Sequence, residues 1–295
     1  MENIIECINL THYYGKRKIY EDLSFTVPKG KILGLLGKNG TGKTTSINIL
    51  SGYLQPAKGE CRIFGQNIQT MDPALRSKIG LLIEGHVQYQ FMNIEQIEKF
   101  YGAFYPNWKR DAYYDLMSRL KVAPKQSISR MSCGQRSQVA LGLILAQDPD
   151  LLVLDDFSLG LDPGYRRLFV DYLKDYANSE DKTVFLTSHI IQDMERLIDD
   201  VIIMDYGKIL TQQPVDELLD TFRKVTFTSD RNIEIGRSEN IINPQCLNRQ
   251  VELYTFLSED AIKQELMGQG LKDGSDWNYE RMNLEDAFIG LTGKY

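Results

Sequence analysis

The sequence predicts an α/β protein: a mixed, mainly parallel sheet with crossover helices, an antiparallel β region in front, a helical insert, and a small α+β appendage behind. Three observations lead there. Residues 151–154, Leu-Leu-Val-Leu, form an unbroken apolar run of the kind shown by a strand buried on both faces. Residues 183–187 and 201–204 repeat it, separated by helical periodicity around 165–176 and 190–198, the rhythm of parallel strands joined by crossover helices. A glycine-rich segment from Gly37 to Thr44 lies between another apolar strand and a helical stretch.

In chain order, residues 4–10, 23–27, 31–36 and 61–64 read as strands. They are short apolar runs bounded by Gly15, by Pro28-Lys29-Gly30 and by Pro56-Ala57-Lys58-Gly59. From 93 to 122 the period lengthens: Ile94, Ile97, Phe100, Tyr101 and Phe104 fall at helical spacing. Tyr105-Pro106-Asn107-Trp108 interrupts the pattern, and Tyr113, Leu116, Met117 and Leu120 resume it. A helix over 135–147 then leads into the 151–154 strand. Beyond Leu219, segments 224–228 and 251–257 read as strands, followed by two short helical patterns, the last through Leu284-Glu285-Asp286-Ala287-Phe288. The expected division is one domain over 1–220, with a helical subdomain at about 86–147, and an accessory domain over 221–295.

Composition narrows the function classes. The 295 residues are 42% hydrophobic and 25% charged, as in an ordinary globular chain. A net charge of −6 without long single-sign blocks argues against a nucleic-acid binder that depends on phosphate attraction. The longest apolar stretch, 139–146, falls far short of the roughly 18 residues a membrane-spanning helix needs, so the chain is not expected to cross a bilayer itself. The acidic start lacks the features of a secretory signal, and four scattered cysteines without CxxC spacing fit a reduced cytosolic compartment.

The sharpest motif is Gly37-Lys38-Asn39-Gly40-Thr41-Gly42-Lys43-Thr44, followed by Thr45, which fits the Walker A pattern GxxxxGK[ST]. Its glycines let the backbone curl so that successive N–H groups face a β-phosphate, and the following helix N-terminus favours the same anion. Lys43 would reach the β- and γ-phosphates, and Thr44 would place its hydroxyl on Mg²⁺. A carboxylate at the end of a neighbouring buried strand is also required. Asp155, the first polar residue past 151–154, supplies it.

With these residues in place, the chain resembles the nucleotide-binding subunits of ATP-binding-cassette (ABC) transporters over about residues 1–220. Ser132-Cys133-Gly134-Gln135, after Met131, stands where the family has its LSGGQ signature, although Met131 and Cys133 depart from it. The resemblance implies that this segment contacts ATP held by a second cassette; by itself it also reads as a helix N-cap. It further implies a D-loop at Gly160-Leu161-Asp162, a switch histidine at His189, and adenine stacking by Tyr14, with Tyr13 as the alternative. Glu84 stands where the family's Q-loop usually has Gln, and as an oxygen ligand it still suits Mg²⁺. Together with 104–108 and 284–288, this points to the branch containing bacitracin-resistance, lantibiotic-immunity and other peptide exporters.

The expected function is therefore an ATP-hydrolysing exporter subunit with ATP and Mg²⁺ as cofactors. Its partners would be a separate integral membrane permease and a second ABC ATPase subunit, identical or different, placing it on the cytoplasmic face of the membrane. The loop 84–93, with His86, Gln88, Tyr89, Gln90 and Phe91, is the expected permease contact. Translation- and chromosome-associated ABC proteins are disfavoured by the single Walker A motif and the lack of sustained heptads. The notable departure is Asp156, where the family has the Glu that polarises the attacking water. Its carboxylate sits about 1.5 Å further back, while a base needs to lie within about 2.6–3.2 Å of its proton. Slow but real hydrolysis is expected; the alternative is a sensory or regulatory module that binds ATP with little turnover.

Overall fold

The computed structural model describes residues 2–83, 89–119, 121–156, 161–179 and 181–293. The chain runs through β1 (Asn3–Tyr14), β2 (Arg17–Pro28), β3 (Ile32–Gly37), α1 (Lys43–Leu50), β4 (Lys58–Ile63), β5 (Gln66–Asn67), α2 (Pro73–Arg76) and β6 (Ile79–Leu82). The helical insert follows as α3 (Ile94–Gly102), α4 (Arg110–Arg119) and α5 (Cys133–Ala146). Then come β7 (Leu151–Leu154), α6 (Pro163–Ser179), β8 (Thr183–Thr187), α7 (Ile191–Leu197), β9 (Asp200–Asp205), β10 (Lys208–Pro214) and α8 (Val215–Thr221). The C-terminal part holds β11 (Arg223–Ser229), β12 (Ile242–Leu247), β13 (Gln250–Thr255), α9 (Glu259–Gly268), β14 (Gly274–Glu280) and α10 (Leu284–Thr292).

Three sheets result. The central one has the order β10-β9-β3-β8-β7-β6, and its strands are parallel apart from the antiparallel edge β10. Alternating side chains of its inner strands feed two different cores. Leu33, Leu35, Leu151, Val153 and Phe185 pack towards the antiparallel sheet β2-β1-β4-β5, where Phe25 stacks on Phe185 at 5.8 Å. Ile32, Leu36, Leu152, Leu154, Val184 and Leu186 pack towards the helices of the opposite face. Burial on both faces is why these strands read as continuous apolar runs.

The helical insert packs its buried stripe, Ile94, Ile97, Tyr113, Leu116 and Met117, onto the same core as α5. Asn93 opens α3 with a capping box, its side chain accepting from the Gln96 N–H at 2.9 Å while the Gln96 side chain accepts from the Asn93 N–H at 3.0 Å.

The third sheet, β12-β13-β11-β14, encloses a small core of its own around Val225, Phe227, Val251, Leu253, Ile262 and Leu266. Two of its strands differ from the sequence expectation. The edge strand β12 carries Pro244 in the register break between Ile242 and Gln245, and β14 is a mostly polar run in which Trp277 and Tyr279 stack near Phe227. The closing helix α10 does not join this core. Its Leu284, Ala287, Phe288 and Leu291 pack with Met194 and Leu197 in the large core of the central sheet.

Candidate nucleotide site

Four segments meet at the C-terminal end of the central parallel strands, where a doubly wound sheet presents its ligand crevice. Gly37 closes β3. A Cβ there would lie 2.6 Å from the Thr41 hydroxyl oxygen and 2.8 Å from the Met204 carbonyl oxygen, so only glycine fits the loop at this point. Gly42 sits at φ 109, a conformation that lets the loop turn into α1. Inside the loop, the Thr41 hydroxyl donates to the Lys38 carbonyl at 2.8 Å. The Lys43 ammonium donates to the carbonyls of Gly37 at 2.6 Å and Lys38 at 3.2 Å. Burial pulls the Lys43 pKa below its ordinary value, against the opposing attraction of Asp155 and Asp156.

The two carboxylates follow β7. Asp155 is buried, and its Oδ1 accepts a 2.6 Å hydrogen bond from the Thr187 hydroxyl while its Oδ2 is buried without a hydrogen-bond partner. Burial, reinforced by the neighbouring Asp156, pushes the Asp155 pKa up; hydrogen bonds from Thr187 and Thr44 and the Lys43 charge act the other way. Asp156 adopts a left-handed backbone at φ 46, which Asp tolerates better than most residues. Its N–H donates to Thr187 Oγ1 at 3.0 Å, and its Oδ1 accepts from the His189 N–H at 3.3 Å. Asp156 Oδ2 lies 3.5 Å from His189 Nε2 and has no hydrogen-bond partner.

A cavity of about 270 Å³ joins these groups. It brings together Tyr14, Asn39, Gly40, Gly42, Lys43, Thr44, Thr45, Asp155, Asp156 and His189 of the sequence-derived set. Gly37, Lys38 and Thr41 belong to the same loop without lining the cavity. The half-exposed Tyr14 sits edge-on to His12 at 5.0 Å, and Tyr13, also exposed, does not line the cavity.

Other expected residues lie apart from it. Ser132, Cys133, Gly134 and Gln135 form the start of α5, where Ser132 and Gln135 make a reciprocal capping box at 3.2 and 3.1 Å. Asp162 is exposed and accepts from the N–H groups of Gly164 and Tyr165 at 3.1 and 3.2 Å, capping α6. Glu84, His86, Gln88 and Gly160 fall outside the described residues.

Four cavity residues, Arg17, Ile19, Thr187 and Ser188, escaped the sequence reading, and two of them make informative contacts. Arg17 pairs in register with Tyr14 across the β1–β2 turn, and its Nη2 would be 3.1 Å from a Cβ on Gly40. Its neighbour Lys18 is paired with Glu21 at 2.9 Å, whereas Arg17 makes no ion pair among the described residues. Thr187, at the end of β8, bridges Asp155 and Asp156. The available signals were a basic residue three positions after Tyr14 and a hydroxyl closing an apolar strand.

Residues 20–158 match the family model described as ABC transporter. Over 99% of its length the chain is 28% identical to the bacitracin transport ATP-binding protein BcrA of Bacillus licheniformis, covering 98% of that protein. It is also 28% identical to the Nod factor export ATP-binding protein I of Cupriavidus metallidurans, over 100% of this chain and 99% of the relative. Among solved structures, an ATP-binding cassette in a dimeric post-hydrolysis state with ADP and Pi superposes with a TM-score of 0.63 at 18% identity, covering 71% of this chain and 98% of that one.

Proposed function

We propose that the chain is an ATP-binding and ATP-hydrolysing subunit of an ABC transporter, and that its residues divide the work as follows. One observation carries the reading: Lys43, Asp155, Asp156 and His189, from separate segments, line a single cavity that starts at the phosphate loop. Lys43 exchanges its two loop carbonyls for β- and γ-phosphate oxygens, and Tyr14 stacks on adenine. Arg17, between Tyr14 and Gly40, faces the α-phosphate. An Arg17→Ala variant is expected to raise the KM for ATP about ten- to a hundredfold, the effect of one charge-assisted hydrogen bond, with kcat nearly unchanged. Steady-state kinetics check this.

The residues present fit Mg²⁺. Asp155 offers a buried, unpartnered carboxylate oxygen, and Thr44 lines the same cavity with its hydroxyl, giving the hard oxygen donors this ion takes. Glu84 is the further ligand suggested by the family resemblance. Bound there, Mg²⁺ would neutralise charge on the β- and γ-phosphates.

Asp156 polarises the attacking water. The water oxygen bonds to the γ-phosphorus as the bond to the β–γ bridging oxygen breaks, giving ADP and phosphate. Asp156 Oδ1 is held by the His189 N–H, which leaves Oδ2 available beside the His189 ring, where the γ-phosphate would also be contacted. The left-handed backbone at Asp156 redirects the chain just past β7, so the reach of its carboxylate is set by the backbone as well as by side-chain length.

Ser132, Gly134 and Gln135, with Cys133, act on the ATP of a second cassette, and Asp162 lies at the same interface. Their separation from the cavity within one chain supports this arrangement, as does the dimeric state named for the similar cassette. The permease contact is an aromatic surface on the helical insert. Tyr89 and Phe104 pack against Phe100 at 4.8 and 5.2 Å, and Phe91 and Phe104 are 78% and 66% exposed. Beside it runs a groove lined by Tyr53, Leu81, Tyr101, Tyr105 and Leu143, suited to an apolar helix from the permease. No helix among the described residues is long and apolar enough to cross a membrane, which supports a separate permease with this chain on its cytoplasmic face.

Peptides are the proposed cargo, on the strength of the relative named for bacitracin transport. The exporter relatives favour a motor over a regulatory module with little hydrolysis. Mg²⁺-dependent turnover that rises faster than linearly with protein concentration is the expected signature of paired cassettes. Turnover strictly proportional to concentration, with a monomer at saturating ATP, would contradict it.

A further inference from the structure

The closing helix α10 joins the C-terminal sheet to the nucleotide site by contacts at both of its ends. At its start, the Leu284 N–H donates to Glu195 Oε2 at 2.8 Å and Gln192 Nε2 donates to Glu285 Oε2 at 3.1 Å. Both partners lie on α7, which begins two residues after His189. At its far end, Asn243 of β12 donates through Nδ2 to the carbonyls of Gly290 at 2.7 Å and Leu291 at 3.2 Å. The Thr292 carbonyl accepts a 2.8 Å hydrogen bond from the Lys38 ammonium. The last carbonyls of a helix lack partners within it and carry its negative dipole end, so a lysine is well placed there.

Lys38 is the second residue of the phosphate loop, and its main chain organises that loop. Its carbonyl accepts from Thr41 N at 3.4 Å, from the Thr41 hydroxyl at 2.8 Å and from Lys43 Nζ at 3.2 Å. One residue thus has its side chain fastened to α10 and its carbonyl fastened to the groups that cradle phosphate.

We propose that α10 is a positioning element for the phosphate loop, in which the Thr292 carbonyl holds Lys38, and Lys38 in turn holds the loop in the shape that receives ATP. The C-terminal sheet acts through Asn243, which fixes the end of α10, so the appendage sets nucleotide affinity without touching nucleotide. The proposal rests on the loop being the ATP site. By linkage, ATP bound at the loop must alter the stability of the α10 terminus to the same extent.

The test is a double-mutant cycle on MgATP affinity, measured by calorimetry on the full chain, with Lys38→Met, Lys38→Arg, Asn243→Gly and the Lys38→Met/Asn243→Gly pair. Glycine is chosen at 243 because Asn243 has φ 46, which glycine keeps without strain. Lys38→Met is expected to weaken binding about three- to tenfold, the net worth of one ordinary hydrogen bond, because Lys38 acts on nucleotide only through the loop, and Lys38→Arg to recover most of it. Asn243→Gly is expected to weaken binding about two- to threefold in the wild type and to add nothing once Lys38 is Met. Saturating kcat of Asn243→Gly should stay within about twofold of wild type, since Asn243 lies outside the nucleotide cavity.

Hydrogen exchange gives a second readout: MgATP slows exchange of the 288–292 amides in the wild type and leaves it unchanged in Lys38→Met. Additive losses from the two substitutions, or unchanged affinity in Lys38→Met, would overturn the proposal. A wild type that bound no MgATP would point instead to failure of the ATP-site reading.

Discussion

Replacing Lys43 with alanine is expected to lower Mg²⁺-dependent ATP turnover by at least about 10²–10³-fold, the cost of removing one preorganised group from developing transition-state charge. Nucleotide affinity should fall as well. The ammonium is buried, 2.6 Å from the Gly37 carbonyl, and it is the cation that offsets Asp155 and Asp156. Without it the two carboxylates face a polyanionic nucleotide with less compensation, so binding and chemistry suffer together. Phosphate release and calorimetric ATP binding by Lys43→Ala measure both effects; wild-type turnover in this variant would remove the loop from the mechanism.

Asp155→Asn is expected to separate stability from function. In the nucleotide-free chain the Asp155 pKa is raised, mainly by burial. A raised carboxyl contributes stability below its ordinary value of 3.8 and loses it as pH rises through the raised value, so at neutral pH the ionised group is a liability. Asparagine removes that charge and can still accept from the Thr187 hydroxyl. The variant should therefore unfold at a higher temperature than wild type at pH 7, while losing Mg²⁺-dependent turnover by about 10²-fold or more. Nucleotide and Mg²⁺ affinity in the wild type should also fade at a higher pH than for an exposed aspartate as solutions are acidified. A variant that is both less stable and fully active would contradict this assignment.

Most of the residues that line the candidate cavity were legible in the sequence because they lie in short contiguous patterns. The phosphate loop needs glycines and a lysine at fixed offsets between a strand and a helix, and Asp155 follows an apolar run that burial on two faces dictates. What escaped the sequence depends on pairing between distant segments. Thr187 matters only because β8 lies beside β7 in register, and Arg17 only because the β1–β2 turn folds over Gly40. The left-handed backbone of Asp156 has no sequence signature beyond the tolerance of Asp for it. The apolar face of α10 was visible, but its return to the large core, and the bond from Lys38 to Thr292, are contacts between opposite ends of the chain. In the appendage, β14 is too polar and β12 too interrupted by Pro244 for periodicity to reveal them.

The central claim is that Asp156 supports hydrolysis although it is shorter than glutamate. The most direct measurement is the initial rate of phosphate release at saturating MgATP by the wild-type chain beside Asp156→Asn, with ATP binding determined on the same preparations. The account predicts measurable wild-type turnover that falls about 10²–10⁴-fold in Asp156→Asn, the range for loss of a general base, while binding persists. Equal turnover in the two proteins, or ATP binding with no turnover in the wild type, would contradict it.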